Sequence, residues 1–220
     1  MDMGAVHVIS LNTDVFLLGA GMAAEQYSGL VAQLAWLEED LKAAAANRAQ
    51  VPWIVAFGHE MMYSSHDSGH RAQAAVLRDG GSIANGSKFA GLEPLFHNYS
   101  VDLYFAGHEH VYEHFARINK GAPCNKDSAG TACGLQPGRP EGCPCTAHLI
   151  VGNAGNREFP YHEKNGSLAP FAYPLPSYER FRSPYPAGFG FLTVHNSSVM
   201  TWQQFNARTG AVLDEHTYIR

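Results

Sequence analysis

Two apolar segments of this 220-residue chain each end in the dipeptide Gly-His, which limits the folds that the chain can adopt. Residues 101–106 run into Gly107 and His108, and residues 51–57 run into Gly58 and His59. Short apolar runs of this kind are typical of buried strands in a parallel sheet. Because ligands bind beyond the carboxyl ends of such strands, we expect both histidines at one functional edge.

His110 adds a third imidazole to this edge. It follows His108 by two residues, and residues two apart in an extended segment project to the same side. Neutral imidazole is the commonest metal ligand, so the sequence predicts a metal site built from His59, His108 and His110. The alternative is that some of them are ordinary surface or core histidines. Their occurrence after two strands of the same build favours the metal site.

The order of the predicted elements indicates an α/β fold. Residues 5–11 are predicted as a strand, residues 27–46 as a helix with leucines at helical spacing, and residues 53–57 as the next strand. A helix within residues 89–98 then precedes the strand at 101–106. This alternation is typical of a layered sheet with right-handed crossovers. Further strands are predicted at residues 148–151, 189–195, 199–206 and 212–219.

The two histidine segments resemble a known family. W-I-V-A-F-G-H-E-M-M-Y-S-S from residue 53 and V-D-L-Y-F-A-G-H-E-H-V-Y-E from residue 101 are similar to the last two metal-binding motifs of the purple acid phosphatases. These dinuclear metallophosphatases carry G-H-x-x-x-Y followed by G-H-x-H-x-Y-E. Residues 150–158 resemble the family's G-x-G-G-N-R-E loop, residues 188–202 its closing strands, and residues 2–14 the strand before its long helix.

The resemblance implies a layered metallophosphatase-type β-sandwich flanked by helices. Residues 1–220 would form a single, partial catalytic domain, with a Cys-rich loop at residues 119–146 and a C-terminal β-hairpin region at residues 189–219. The family's front half supplies G-D-x-x-Y and G-N-H-E or G-N-H-D, which carry further metal ligands. This sequence contains none of these motifs. We therefore expect the chain to correspond to the C-terminal half of the family's catalytic domain.

The resemblance implies the hydrolysis of phosphate monoesters by a hydroxide. Two metal ions, about 3.5–4 Å apart, would activate this hydroxide. The cofactors would be iron and a second divalent metal, which is zinc, manganese or iron. His59 and His108 would hold the divalent ion, and His110 the ferric ion. In the loop after His59, His66 or, as second candidate, His70 would protonate the leaving alkoxide. Either could instead be a solvated loop histidine.

Without the front-half ligands, the isolated chain is expected to be poorly active or inactive. Two alternatives therefore remain open, a non-catalytic remnant that binds a metal or a partner, and a metallophosphodiesterase on the same fold. Glu60 and Met61 stand where the family often has Arg-Pro, and His114 where Arg commonly follows Tyr-Glu. Because neither position is a ligand in the family, these departures are expected to affect substrate preference.

Charge and hydropathy exclude several classes of partner. The net charge of -5 and the pI near 6.2 provide no electrostatic footprint for nucleic acid or an anionic membrane surface. No apolar run reaches the roughly 18 residues that a membrane span requires. The expected partner is a small phosphate ester, and the sequence is also compatible with a homodimer.

Four cysteines lie at positions 124, 133, 143 and 145, and four cysteines allow three pairings. Disulfides are favoured over half of a zinc knuckle at residues 143–145, because no second Cys-x-x-Cys pair accompanies it. N-glycosylation sequons begin at Asn85, Asn98, Asn165 and Asn196. Together these features predict a secreted or vacuolar/lysosomal glycoprotein. The first residues lack the pattern of a signal peptide, so the targeting signal is expected outside this chain.

Overall fold

The computed structural model describes residues 1–65, 68–124, 145–155, 179–183 and 187–220. Its strands and helices are, in chain order, β1 (Asp2–Met3), β2 (Val6–Ser10), a 3-10 helix (Asp14–Gly21), α1 (Ala24–Ala46), β3 (Trp53–Phe57), α2 (Ser68–Asp79), β4 (Gly80–Ser82), β5 (Lys88–Ala90), α3 (Glu93–Asn98), β6 (Leu103–Ala106), β7 (Tyr112–Asn119), β8 (Ala122–Pro123), β9 (Thr146–Val151), β10 (Glu179–Ser183), β11 (Gly188–Val194), β12 (Val199–Asn206) and β13 (Val212–Ile219).

An eight-stranded mixed sheet forms the centre of the fold, in the order β1-β2-β3-β6-β9-β7-β10, with β8 paired to β7. Strands β2, β3, β6 and β9 run parallel to one another, whereas β1, β7 and β10 pair antiparallel with their neighbours. Phe57, the last residue of β3, pairs with Phe105 near the end of β6. The segments that follow these two strands therefore leave the sheet at the same edge.

Helix α1 covers one face of this sheet. Its apolar residues recur at helical spacing, so Leu30, Leu37 and Leu41 are all buried in the core on that face. Each buried leucine contributes about 1.5–3 kcal/mol. At the start of the helix, the Gln26 side chain accepts a hydrogen bond from the Ala23 N–H at 2.9 Å. Among the described residues, no helix has the length and apolar character needed to cross a membrane.

A second, three-stranded antiparallel sheet in the order β11-β12-β13 covers the other face. Alternate residues of β12 are buried, among them Met200 and Trp202, and they pack against Trp53 and Leu103 of the large sheet. Tyr112 links the two sheets through its hydroxyl, because that oxygen accepts a hydrogen bond from Trp202 Nε1 at 3.0 Å. The expected α/β fold, with a mixed sheet and helices, is therefore confirmed.

Among the elements that the sequence prediction missed are α2 and β7. His70 was placed in the loop after His59 but lies in the first turn of α2, in which A-Q-A-A-V-L-R is a run of good helix formers. Strand β7 was not predicted, because its first three residues include Glu113 and His114, whose side chains are polar although they are fully buried. Of the cysteines, Cys124 and Cys145 form a disulfide, and Cys133 and Cys143 lie outside the described residues.

Candidate metal centre

His59 and His108 lie side by side at the carboxyl ends of β3 and β6. His108 Nδ1 is 3.1 Å from His59 Nε2, and the ring centroids are 5.1 Å apart. Two backbone hydrogen bonds join the segments, from Gly58 N–H to the Phe105 carbonyl at 3.1 Å and from Gly107 N–H to the His59 carbonyl at 2.9 Å. Backbone hydrogen bonds alone therefore hold the two Gly-His segments next to each other.

Gly58 is required by close packing at this corner. A Cβ atom at this position would lie 2.5 Å from Thr13 Cγ2 and 2.8 Å from the Tyr104 hydroxyl. Both distances are shorter than any ordinary carbon contact, and both neighbouring side chains are buried. A larger residue would therefore displace Thr13, which directly precedes the 3-10 helix, or Tyr104 of β6.

His108 adopts a left-handed backbone conformation with φ of 55°. This conformation costs a non-glycine residue roughly 1–2 kcal/mol. Residues 108–110 form a bend. The expectation that His108 and His110 lie in an extended segment is therefore wrong, and the alternation of side chains in a strand does not apply to them.

Glu60 is the third member of the site. One oxygen of its carboxylate, Oε1, is 3.2 Å from His108 Nδ1. Nitrogens of His59 and His108 and an oxygen of Glu60 all lie within 4.8 Å of one another. His59 and Glu60 are adjacent in sequence, yet both reach the same point because they occupy a bend after β3.

Glu60 is buried although it can carry a charge, with 3% of its surface exposed. Its N–H donates to Thr13 Oγ1 at 2.8 Å, and its carbonyl accepts from the Tyr104 hydroxyl at 2.5 Å. Burial, with a smaller contribution from the negative charge of Asp14, raises the pKa of Glu60 to about 7. A positive charge beside this carboxylate would favour its ionised form.

This donor set fits one metal ion but not a pair. Two imidazole nitrogens and a carboxylate oxygen suit a borderline divalent ion such as zinc. A dinuclear centre needs additional ligands and a bridging group, and the described residues contain this single group of three candidate donors. We therefore assign no reaction step to a metal pair held by the described residues.

The other predicted site residues have different positions. His110 is half-buried in the bend, its Cα packs against Gly152, and among the described residues it is not part of the three-donor group. Its role as a ligand remains a prediction. His66 lies outside the described residues, and His70 lies in the first turn of α2 with its side chain undescribed. The sequence reasoning missed Glu60, and its position directly after Gly-His was the available signal.

Buried carboxylates hold the segment after Glu60 against the β7 corner. Ser64 Oγ donates to Glu109 Oε1, while Ser65 donates to both oxygens of Glu113, from N–H at 3.0 Å and from Oγ at 2.7 Å. Burial raises the pKa of Glu113, and the two hydrogen bonds from Ser65, with a smaller contribution from the positive charge of Arg182, partly offset this effect. These contacts fix the orientation of the loop that leaves His59.

Two protein-family models match the chain. The calcineurin-like phosphoesterase model matches residues 7–112, and the iron/zinc purple acid phosphatase-like protein C model matches residues 145–215. The similarity thus includes the phosphoesterase domain as well as the C-terminal domain. This finding corrects the expectation that the chain corresponds to a C-terminal half alone.

Curated relatives agree with these matches. Acid phosphatase type 7 of Mus musculus is 37% identical over 163 residues, covering 71% of this chain and 33% of the relative. The Homo sapiens protein is 36% identical over 180 residues, covering 80% and 35%. The Fe(3+)-Zn(2+) purple acid phosphatase 12 of Arabidopsis thaliana is 30% identical, covering 74% and 29%. The chain spans about a third of the length of these relatives.

Two solved structures share the fold. Purple acid phosphatase PPD1 from yellow lupin seeds superposes with a TM-score of 0.63 at 23% identity, covering all of this chain and 32% of that chain. GAP50, described as the anchor in the inner membrane complex of Plasmodium, has a TM-score of 0.57 at 17% identity, covering 97% and 49%. The α/β metallophosphatase-like architecture therefore extends over the whole chain.

Proposed function

Because the chain is homologous to the purple acid phosphatases, enzymes of the calcineurin-like phosphoesterase family, we propose that it forms part of an acid phosphatase that hydrolyses phosphate monoesters. The observation that carries this proposal is the meeting of His59 and His108 at the carboxyl ends of β3 and β6. Ligand sites of α/β sheets lie at such edges.

The proposal includes a catalytic unit that extends beyond this chain. The three described donors are too few for a dinuclear centre of iron with zinc, manganese or a second iron, so the remaining ligands would come from outside the described ranges, in this chain or in additional polypeptide.

Within that unit, the residues of this chain would position the ester and move a proton. When bound, a metal pair would supply positive charge that stabilises the phosphate oxygens and would lower the pKa of water. His66 or His70 would donate a proton to the leaving alkoxide, because an imidazole can act as a general acid at acidic pH. His59 and His108 would hold one of the ions.

The test compares this chain with a longer one that includes the coding region upstream of Met1. Both are assayed at about pH 5 with iron and zinc or manganese, using a phosphate monoester and a phosphate diester. We expect rapid monoester turnover by the longer chain, loss of it in a His108→Ala variant, and little turnover by residues 1–220. Turnover of the diester alone would support a phosphodiesterase, and turnover of neither would contradict the proposal.

Replacing His66 or His70 tests the proton donor separately. A general acid matters most when the leaving group is a poor one, so its removal should slow hydrolysis of an alkyl phosphate far more than that of a nitrophenyl phosphate. We expect this contrast for His66→Ala. His195→Ala serves as the control, because His195 is an exposed residue directly after β11 that contacts Thr201. Equal slowing of both substrates would exclude the general-acid role.

A second candidate is a non-catalytic protein that binds a partner through the same fold. GAP50, which shares the fold, is described as an anchor, and this favours the second candidate. Under this alternative, the longer chain would remain inactive with every metal tested. The phosphatase assay therefore separates the two candidates.

We further propose that the protein enters the secretory pathway and is secreted or vacuolar/lysosomal. Three of the four sequon asparagines, Asn85, Asn98 and Asn196, are exposed, and the Cys124–Cys145 disulfide is stable in an oxidising compartment. Treatment of the natural protein with an N-glycosidase should increase its electrophoretic mobility. An unchanged mobility would contradict this assignment.

A further inference from the structure

We propose that Glu60 is a metal ligand, and that this chain alone binds one borderline divalent ion, of the zinc or cobalt(II) class, between His59, Glu60 and His108. The proposal needs no residue outside this chain and does not depend on phosphatase activity. It assigns a coordinating role to the residue that replaces the arginine expected at this position from the family pattern.

The donor spacing is the first argument. Ligand atoms about 2.0–2.1 Å from a tetrahedral metal ion lie roughly 3.3 Å apart, and those of an octahedral ion roughly 2.9 Å apart. The observed separations of 3.1 Å from His108 Nδ1 to His59 Nε2 and 3.2 Å from His108 Nδ1 to Glu60 Oε1 fall between these values. His108 therefore lies at ligand spacing from each of the other two side chains, and the three donor atoms all lie within 4.8 Å of one another.

The state of the Glu60 carboxylate is the second argument. Its outer oxygen, Oε2, is buried and has no hydrogen-bond partner within the described part of the chain. A buried carboxylate oxygen without a partner is destabilising, because it has lost its hydrogen bonds to water. No arginine or lysine is recorded in an ion pair with Glu60 across the described ranges, whereas Asp14 adds a second negative charge nearby. A cation at this point would supply the missing partner for the Glu60 carboxylate.

The backbone of His108 is the third argument. The left-handed conformation at φ of 55° is unfavourable for histidine, and such conformations concentrate at functional sites. Here it turns the His108 ring toward His59 and Glu60 instead of continuing along the direction of β6. Coordination would offset the conformational cost, which asparagine or glycine at this position would avoid.

The site also remains open on one side. His59 is exposed and His108 is half-buried, while Glu60 lies at the buried end. An ion with three protein ligands and a solvent-facing position can accept a fourth ligand from solution. An oxygen of inorganic phosphate is a suitable fourth ligand, because Zn²⁺ binds anionic oxygens, such as those of carboxylates, as well as imidazole nitrogens.

Metal binding by the purified 220-residue chain tests the proposal. Isothermal titration with Zn²⁺, and visible absorption after addition of Co²⁺, are measured for the wild type and for E60Q, H59A and E93Q. E93Q is the matched control, since Glu93 is likewise buried but accepts its hydrogen bond from the Tyr63 hydroxyl, and neither side chain belongs to the donor group. Circular dichroism confirms that each variant is folded.

We expect one Zn²⁺ per wild-type chain, and an affinity lower by at least about 100-fold in both E60Q and H59A. E93Q should bind like the wild type. The proposal is overturned if the wild type binds no ion or two ions, or if E60Q binds as tightly as the wild type while H59A does not. Should E60Q fail to fold, anomalous diffraction from a zinc-soaked wild-type crystal decides, because the metal peak must lie within about 2.3 Å of a Glu60 oxygen.

Discussion

Replacing His148 with leucine is expected to stabilise the protein. His148 lies on β9 with 3% of its surface exposed, and neither ring nitrogen has a hydrogen-bond partner among the described residues. The ring is packed against Tyr63 and Tyr104, with centroids 4.9 and 5.9 Å away. Relieving the buried polar atoms should yield about 1–3 kcal/mol, and losing the aromatic contacts should cost about 0.5–1.5 kcal/mol. The net gain at pH 7.5 is therefore about 1 kcal/mol.

The gain should increase on acidification. Burial, with a smaller contribution from the positive charge of Arg78, lowers the pKa of His148 from 6.5 to about 3. Between these two values the unfolded wild type binds more protons than the folded one, so wild-type stability is lost as pH falls below 6.5. At pH 5 this loss is about 2 kcal/mol, which His148→Leu avoids. The variant should then exceed the wild type by about 3 kcal/mol.

Urea denaturation at pH 7.5 and pH 5 measures both differences, and His114→Leu is the matched control. His114 is equally buried, but its Nδ1 pairs with Asp214 at 2.7 Å and its Nε2 with the Tyr218 hydroxyl at 2.8 Å. Its replacement removes one hydrogen bond from each of those groups and should cost about 2–4 kcal/mol. A His148→Leu variant less stable than the wild type at pH 7.5, or a difference independent of pH, would refute the reasoning.

Two further predictions concern a glycine and the disulfide. Gly58→Ala should destabilise the protein by about 1–3 kcal/mol in the same denaturation assay, because the new Cβ overlaps Thr13. Gly29→Ala, on the exposed face of α1, should stabilise it by about 0.5–1 kcal/mol, and equal effects of the two substitutions would contradict the packing argument. Replacing Cys124 and Cys145 by serine opens a crosslink that spans a sequence separation of 21 residues and should cost about 3 kcal/mol. An unchanged urea midpoint would show that this crosslink does not restrict the unfolded chain.

Much of the architecture could be predicted from local patterns. The strands at Trp53–Phe57, Val199–Asn206 and Val212–Ile219 have the predicted boundaries, and α1 begins three residues before the predicted helix. Apolar spacing encodes these elements directly, since each must bury one face. The meeting of His59 and His108 also followed from sequence, because neighbouring parallel strands end at one edge of the sheet.

Tertiary structure alone decided which side chains complete that edge. Whether Glu60 or His110 joins the two histidines depends on a bend after β3 and on the left-handed backbone at His108, and neither is encoded in residue spacing. The position of β7 between β9 and β10, which buries Glu113, likewise depends on contacts between distant segments. The local sequence specifies which face of an element is buried. The hydrogen-bond and ligand partners of a polar side chain depend instead on long-range packing, because a change in one backbone dihedral angle points the side chain in another direction.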